Sequence, residues 1–427
     1  MVKIYQKNDD LSRVLSRSQI DNKALAESVK NIVEDVKTNK NKALFAYTKQ
    51  FDGIDLNESL IEVSEAEIDD AYTRVDKNLL QALRSAKANI LDYHKRQLKA
   101  FEPYFYNQNG NTLGWTYRPM DKVGLYIPGG KASYPSSILM CGLPAIAAGV
   151  EDVIVCTPNP KNPLTLVACR EVGISKIFKV GGAQAISAMA YGTESIDKVD
   201  LIAGPGNVFV TMAKKEVYGS VAIDMIAGPS EILIICDETA NAKFVASDML
   251  SQAEHDENAA SIVVTTSLAM AEEIKKNVIL QTERLERKAI IAKSLQNNGA
   301  IIVVESLAEA LDIANKIAPE HLEICAQNAE ELAQKVKNAG AIFVGNYSPE
   351  PLGDYFAGPS HCLPTSGTAR FFSVLSVDTF MKKISYIKYT KDNLLQAKDS
   401  IVSIANSEGL TAHANTILIR EEENKTK

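Results

Sequence analysis

The strongest constraint on the fold is a series of strand-length apolar segments that alternate with helical patterns from about residue 121 onward. Near-continuous apolar strands separated by helices are typical of parallel sheets that are covered on both faces. The alternation occurs twice, and the predicted strands are residues 123–128, 153–157, 176–180 and 199–203, followed by 231–236, 261–265, 300–304, 322–325 and 341–344. We therefore predict an α/β protein with two doubly wound, incomplete Rossmann-like lobes and a crevice at the carboxyl ends of their strands.

The segments on either side of the two series differ from them in pattern. Apolar residues recur at three- and four-residue spacing in residues 24–36 and 64–98, and Ser64 with two following acids provides a helix start. The tail is also mainly helical in pattern. The predicted division is a helical N-terminal region at 1–118, a first α/β lobe at 119–230, a second α/β lobe at 231–375, and a helical C-terminal arm at 376–427.

Composition excludes several classes of protein. The 427 residues are 46% hydrophobic and 23% charged, which suits a folded chain of several domains. A formal net charge of −7 without a basic block argues against a nucleic-acid partner. No apolar run approaches the ~20 residues of a membrane helix, and the first ten residues lead us to expect no secretory signal. The six cysteines include no C-x-x-C pair, so we predict buried thiols in a cytoplasmic protein.

Polar residues beside helix ends and glycines are candidates for a metal site. Gln252 and His255 lie three residues apart near the end of a helical pattern, so both side chains can point to one side and ligate a metal. The same spacing fits a helix C-terminus that happens to end in polar residues. Asp354, predicted on a loop between glycines, fits a further ligand or an Asx turn. His94, on the predicted helix surface, is predicted to be solvated.

The dipeptide Glu320-His321 opens a predicted strand immediately after Pro319. A carboxylate and an imidazole at such a position suit general acid–base chemistry, because histidine titrates near neutral pH. A charge pair at a helix end is the other interpretation.

Glycine-rich turns follow several predicted strands, at residues 128–131, 180–184, 203–207 and 227–230. Three of them lead into helices, where backbone N–H groups can approach a phosphate or a nucleotide. None matches G-x-G-x-x-G, and G-x-x-x-x-G-K-[ST] does not occur. A dinucleotide that binds at these turns would do so without the usual G-x-G-x-x-G motif.

Five long motifs occur in a fixed order along the chain. They are GLYIPGG at 124–130, IDMIAGPSE at 223–231, DMLSQAEH at 248–255, APEHL at 318–322 and GDYFAGPSH at 353–361. Together they resemble the histidinol dehydrogenase family. The resemblance runs from about residue 117 to 419 and continues more weakly through the helical N-terminus.

The resemblance implies a zinc-dependent, NAD-linked four-electron oxidation of L-histidinol to L-histidine through L-histidinaldehyde. One zinc ion per subunit would orient the substrate by its imidazole and amino nitrogens. By the family's pattern, the zinc ligands are Gln252, His255, Asp354 and His413. The same four residues would lie against the substrate.

The resemblance also implies the remaining roles. His321 would take the alcohol proton and also contact the substrate, and Glu320 would activate the water that hydrates the aldehyde. The other matched positions are Ser230, His361 and Glu408 for substrate, and Tyr126, Gln184 and Asn207 for NAD. The C-terminal helices are expected to complete an intertwined homodimer, in which the arm enters the partner's site. Cys141 and Cys156, which could serve as nucleophiles for an aldehyde, are predicted to be core thiols.

Two other functions fit parts of the pattern. A zinc hydrolase of an imidazole or amide substrate would use the same ligands and Glu320, without nicotinamide. A non-catalytic α/β ligand-binding protein would bind without turnover and would need no metal.

Overall fold

The structure, a computed structural model, describes residues 2–6, 9–15, 23–129, 134–158, 160 and 162–425. Gly130 and Lys131 of the first glycine-rich turn therefore lie outside the described residues. The chain divides into two compact units, one made of Met1–Arg96 with Met120–Phe380 and the other of Gln97–Pro119 with Met381–Lys427.

The strands in chain order are β1 Lys3–Tyr5, β2 Tyr104–Gln108, β3 Asn111–Pro119, β4 Lys122–Tyr126, β5 Asp152–Cys156, β6 Lys176–Phe178, β7 Leu201–Ala203, β8 Ala222–Ile223, β9 Glu231–Cys236, β10 Ala260–Thr265, β11 Ala300–Val303, β12 His321–Cys325, β13 Ala341–Val344 and β14 Met381–Lys388.

The helices in chain order are α1 Ser12–Leu15, α2 Lys23–Asp52, α3 Glu65–Arg74, α4 Lys77–Gln97, α5 Pro135–Ala148, α6 Pro163–Val172, α7 Gly182–Tyr191, α8 Val208–Val217, α9 Ala242–Ala253, α10 Leu268–Thr282, α11 Lys288–Asn298, α12 Leu307–Ile317, α13 Ala329–Ala333, α14 Glu350–Tyr355, α15 Lys391–Ser407 and α16 Thr411–Lys425. None of the helices in the described part of the chain has both the length and the hydrophobicity that a membrane crossing requires.

The first unit contains two parallel sheets, as the alternating pattern predicts. One has the strand order β6-β5-β4-β7-β8 and the other has the order β1-β11-β10-β9-β12-β13. Every residue of β9 and β10 is buried, which explains why these strands are almost uninterrupted apolar runs. In each sheet the chain first adds strands on one side of β4 or β9 and then continues on the other side. The strand order therefore reverses at β4 and at β9. The predicted fold class is confirmed.

The N-terminal helices pack on the first α/β sheet and its covering helices. α2 lies against α7 and α8, and the buried Ser187 hydroxyl donates to the Val33 carbonyl at 2.7 Å. Ser64 caps α3 through a complete capping box with Glu67, as its position in the sequence predicts. β1 belongs instead to the second sheet, where it pairs with β11. β1 was not predicted, because its three residues are too few to show the alternating pattern of a strand.

The second unit is an antiparallel sheet with two helices. β3 pairs with β2 and β14, and α15 packs on α16. Within the described residues of this unit, only Asn111, Ala405 and Ala414 are buried. The tail therefore begins with a strand rather than a helix, and residues 97–119 join 381–427 instead of the N-terminal region. The pairing of β14 with β3 depends on backbone hydrogen bonds between segments that are far apart in the chain. The sequence of either segment carries no local signal of such a pairing.

Two local expectations are wrong. His94 is fully buried on the inner face of α4 rather than solvated. Asp354 lies in the short helix α14 rather than in a loop, because Gly353 takes a helical conformation within it. Cys141 and Cys156 are buried, as predicted for core thiols.

Candidate active site

The backbone of Glu231, at the start of β9, holds both members of the Glu320-His321 pair. Its N–H donates to Glu320 Oε2 at 2.7 Å, and its carbonyl oxygen lies 2.9 Å from His321 Nδ1. β12 runs beside β9 in parallel, with His321 opposite Ile232, which brings the two strand starts together. The side chains of Glu320 and His321 are therefore held by the main chain of a distant segment.

The Glu231 carbonyl determines the tautomer of His321. A carbonyl only accepts, so Nδ1 carries the hydrogen and Nε2 keeps its lone pair. Burial lowers the pKa of His321, which keeps the ring neutral near pH 7. Nε2 is buried without a hydrogen-bond partner among the described residues. His321 is therefore arranged as a base that accepts a proton at Nε2.

Glu320 is buried beside His321, with Oε2 3.6 Å from Nδ1. Burial raises its pKa well above the usual range, against the opposing effect of the Glu231 N–H bond. A carboxylate in this environment accepts a proton more readily than one in water. It suits general-base chemistry on water or an alcohol.

Three side chains near His321 form a group that could hold a metal ion. Ligand atoms of His255, Glu350 and Asp354 all lie within 4.8 Å of one another. His321 Nε2 is 3.9 Å from Asp354 Oδ1 and 4.0 Å from Glu350 Oε1. Burial lowers the pKa of His255, so its imidazole is neutral and available as a ligand.

Gln252 fits such a site through its unsatisfied amide. It is 1% exposed at the end of α9, and its Oε1 has no hydrogen-bond partner among the described residues. A buried acceptor without a partner is costly unless an ion or a ligand supplies the missing interaction. The His255 N–H bonds the Gln252 carbonyl at 3.2 Å, which fixes the two residues in one turn.

Glu350 is a site residue that sequence reasoning missed. It is 1% exposed, and burial raises its pKa to about 9. Its N–H donates to Glu323 Oε1 at 2.8 Å, and the Ser251 hydroxyl donates to its Oε2 at 3.1 Å. Glu350 lies between Pro349 and Pro351, and prolines at this spacing indicate a loop. The sequence therefore gives no sign that Glu350 begins a helix that enters the site.

This group lies at the amino ends of the strands of the second sheet. Glu231 and His321 are the first residues of β9 and β12, and α9 returns the chain to the same edge. The prediction of a crevice at the carboxyl ends is therefore wrong for this lobe. A crossover helix runs antiparallel to the strands that it connects, so residues at and just beyond its C-terminus, here Gln252 and His255, lie at the amino edge.

His361 joins the cluster from the segment after α14. Its Nδ1 is 3.9 Å from Asp354 Oδ1, and its Nε2 is 3.1 Å from the Ser137 hydroxyl in the first turn of α5. A cavity of about 210 Å³ is lined by residues that include His321, Phe343, Asp354, His361 and Leu363. The cavity thus opens directly onto the candidate base and the candidate ligands.

The three residues matched to NAD lie at the carboxyl edge of the first sheet. Tyr126 ends β4, and its hydroxyl accepts from the Gly182 N–H at 3.2 Å. Gln184, in the first turn of α7, is buried with an unpaired Oε1 among the described residues. Asn207 follows β7 and caps α8 through Phe209 N at 3.0 Å. β4 and β7 flank the point where the strand order reverses, which is the usual nucleotide position in such sheets.

The turn after β7 is held in shape by a buried ion pair. Lys214 pairs with Asp224, Lys214 Nζ donates to the Gly204 carbonyl at 3.1 Å, and Asp224 Oδ2 accepts from the Gly204 N–H at 2.8 Å. Gly204 has φ of 117°, and a Cβ there would collide with the Tyr126 carbonyl oxygen. The turn can therefore keep this backbone conformation only with glycine at position 204.

The other matched residues are less closely connected to this group. Ser230 is half-buried immediately before β9, and its carbonyl accepts from Ala260 N at 3.0 Å. Glu408 follows the last residue of α15, His413 lies in the first turn of α16, and both are exposed in the second unit. Their roles stay predictions.

Sequence comparison finds relatives along almost the whole chain. A family model described as histidinol dehydrogenase matches residues 15–421. A histidinol dehydrogenase of Caldanaerobacter subterraneus subsp. tengcongensis is 52% identical over 412 residues, which cover 96% of this chain and 95% of the relative. One of Clostridium acetobutylicum is 54% identical over 404 residues, covering 94% and 93%.

A solved structure gives the same result for the fold. The crystal structure of histidinol dehydrogenase from Elizabethkingia anophelis matches with a TM-score of 0.93 at 38% identity, and 99% of each chain is covered. The similarity therefore extends over both units of the chain.

Proposed function

Because this chain belongs to the histidinol dehydrogenase family and is an oxidoreductase, we propose that it oxidises L-histidinol to L-histidine through L-histidinaldehyde, with zinc and NAD. The reaction removes four electrons in two hydride transfers, so two NAD molecules are consumed for each substrate molecule. It would be the last step of histidine biosynthesis.

The observation that carries the proposal is the arrangement of His321. Its Nδ1 is committed to the Glu231 carbonyl, and its Nε2 faces a group of possible metal ligands. In this arrangement His321 accepts the hydroxyl proton of histidinol at Nε2 as the hydride leaves the carbinol carbon. After hydration of the aldehyde, it accepts a proton of the hydrate in the same way.

Glu320 acts on the hydration step. Its buried carboxylate takes a proton from water, so that the oxygen can add to the aldehyde carbon. The Glu231 N–H holds Oε2, which leaves the other carboxylate oxygen for the water. Hydride transfer from an aldehyde requires a tetrahedral adduct, and in the hydrate the hydroxyl group can release its proton as the hydride leaves.

Zinc would be held by Gln252, His255, Asp354 and His413, with Glu350 within reach of the same ion. The unpaired Gln252 amide oxygen and the grouping of His255 with two carboxylates support this donor set. When bound, zinc supplies a fixed point for the imidazole and amino nitrogens of the substrate. Ser230, His361 and Glu408 would contact the rest of the substrate.

NAD would lie at the strand reversal of the first sheet, in contact with Tyr126, Gln184 and Asn207. The unpaired Gln184 amide and the glycine turn shaped by Lys214 and Asp224 support this position. When bound, NAD supplies the hydride acceptor, one molecule for each of the two transfers. The chain's own contribution is to present polar groups at this edge.

His413 and Glu408 would come from the partner subunit of an intertwined homodimer. The second unit has little core of its own, while Phe105, Ile387 and Ile404 are exposed. An antiparallel sheet with so little buried area needs a further surface to cover it. A partner subunit would provide that surface and would receive the arm.

The test is NADH formation from L-histidinol and NAD, with and without a chelator. We expect two NADH for each histidinol, and loss of turnover when the metal is removed. Hydrolysis of an amide without nicotinamide would favour the zinc hydrolase, and binding without turnover would favour the ligand-binding protein.

A further inference from the structure

Two buried cysteines from distant parts of the chain meet beside the candidate site. Cys141 lies in α5 of the first lobe, and Cys362 lies in the segment after α14. Their sulfur atoms are 3.3 Å apart. The Ser360 hydroxyl donates to the Met140 carbonyl at 3.0 Å and accepts from Cys362 N at 3.1 Å, which holds the two segments together next to the sulfurs.

The environment of Cys362 favours a reactive thiolate. Hydrogen bonding to Cys141 and then to His361 outweighs burial and lowers the pKa of the Cys362 thiol to about 6. The same bond raises the pKa of Cys141 well above the usual thiol range. Disulfide formation needs a thiolate to start it and a second sulfur within reach to complete it, and Cys362 and the Cys141 sulfur 3.3 Å away fit these two parts.

We propose that Cys141 and Cys362 form a reversible disulfide when the enzyme meets a hydroperoxide. The Cys362 thiolate attacks a peroxide oxygen, so that the O–O bond breaks and a sulfenic acid and a hydroxide or alkoxide are formed. The Cys141 sulfur then attacks that sulfenic sulfur, loses its proton, and displaces the hydroxyl group as water. Two thiols lose two electrons in total, and one hydroperoxide is reduced.

The bond would disturb the substrate side of the site. A disulfide holds its sulfurs about 2.0 Å apart, so the two segments must approach by about 1 Å. His361 precedes Cys362 and is bonded to Ser137 at 3.1 Å, so it would move with the change. This consequence for activity rests on the proposed function, whereas formation of the disulfide does not.

Another cysteine pair offers a matched control. Cys236 and Cys325 are opposite one another on the neighbouring strands β9 and β12. Burial raises the pKa of both thiols, that of Cys236 to about 12, so neither forms a thiolate near neutral pH. Proximity alone would make both pairs react, whereas the proposed chemistry selects Cys141 and Cys362.

The direct test uses the full-length, zinc-loaded protein treated with hydrogen peroxide near pH 7. After quenching, the remaining thiols are blocked and the protein is digested without reductant. We expect a loss of two of the six thiols and a peptide that joins Cys141 to Cys362, both reversed by dithiothreitol. A Cys236–Cys325 link formed first, or sulfinic acid at Cys362 without a crosslink, would overturn the proposal.

Activity is measured on the same samples. We expect oxidised protein to lose activity at least several-fold, because a displacement of about 1 Å in a site can cost about 100-fold, and reduction should restore it. Cys141→Ala should remain active and resist the loss, while Cys325→Ala should behave as the parent does. If Cys141→Ala does not fold, the peptide map of the parent decides the question. A crosslink with no NADH formation by reduced protein would reject the proposed function alone.

Discussion

The Nδ1 atom of His321 lies 2.9 Å from the carbonyl oxygen of Glu231, whose N–H also binds Glu320. One peptide segment at the start of β9 therefore orients the imidazole and the carboxylate together. Because the contacts are made by main-chain atoms, substitution of the Glu231 side chain cannot remove them. The two acid–base groups can then be tested independently by substitution at Glu320 and His321.

Glu320→Gln and His321→Asn should affect different half-reactions. Glu320→Gln should slow oxidation of supplied histidinaldehyde more than oxidation of histidinol, because the amide cannot accept a proton from water. His321→Asn should slow both steps, by about 10²–10⁴-fold each, since both release a hydroxyl proton. NADH formation is followed with each substrate, at a metal content verified for each variant. Equal losses in both steps for Glu320→Gln would count against the division of roles.

Removal of the metal should abolish turnover without unfolding the chain. The candidate ligands come from separate segments of a protein with large buried cores, so no element depends on the ion to fold. Circular dichroism and NADH formation should be measured on one chelated sample, and zinc should restore activity. Full activity in protein shown to be metal-free would eliminate zinc from the mechanism.

Glu350→Gln should weaken zinc binding by about 10–100-fold, the usual effect of losing a carboxylate that ligates or orients a ligand. Glu350 is within 4.8 Å of His255 and Asp354 and is almost fully buried. Zinc retention is measured by titration with a competing chelator. Glu257→Gln, at an exposed position near His255, serves as the control and should retain zinc. Equal retention in both variants would place Glu350 outside the metal site.

Two inactive variants should restore activity to each other if the arm crosses to the partner. His255→Asn and His413→Asn, combined after co-expression, would give mixed dimers in which one site carries both defects and the other carries neither. Random pairing then predicts about a quarter of the parent activity. Verified mixed dimers without activity would show that each arm serves its own subunit.

Glu171→Gln should destabilise the fold at neutral pH but not in acid. Glu171 accepts from Arg84 Nη2 at 2.7 Å and from the Tyr72 hydroxyl at 3.1 Å, which joins α3 and α4 to α6. The Arg84 bond, against burial, lowers the pKa of Glu171 below 4.5. The stabilisation is therefore present above the unfolded pKa and is lost as pH falls through the folded value.

The expected cost of Glu171→Gln at pH 7 is about 0.5–1 kcal/mol, because the side chain of Arg84 is 50% exposed and solvent screens its bond to Glu171. Urea unfolding is compared between pH 7 and the acid range, with the exposed Glu151→Gln as control. The same difference at all pH values would mean that the carboxylate charge contributes nothing to stability.

The long apolar strands were predictable because burial on both faces leaves a pattern within each segment. β9 and β10 are recognisable from their own residues, and so is the cap of α3 at Ser64. The motifs at 248–255, 318–322 and 353–361 indicated the family in the same way, since they are contiguous in the chain. Glu350 was missed because its neighbours Pro349 and Pro351 resemble a turn.

The sequence by itself determined the α/β class, the reversal within each sheet, and the residue types that bring acid–base and ligand chemistry. Only the tertiary structure decided which atoms meet: His321 Nδ1 with the Glu231 carbonyl, Glu350 with His255, and Cys141 with Cys362. It also decided that the acid–base and ligand residues lie at the amino edge of the second sheet and that β14 joins β3. Local periodicity reports burial within one segment, whereas these contacts depend on how distant segments pack and pair.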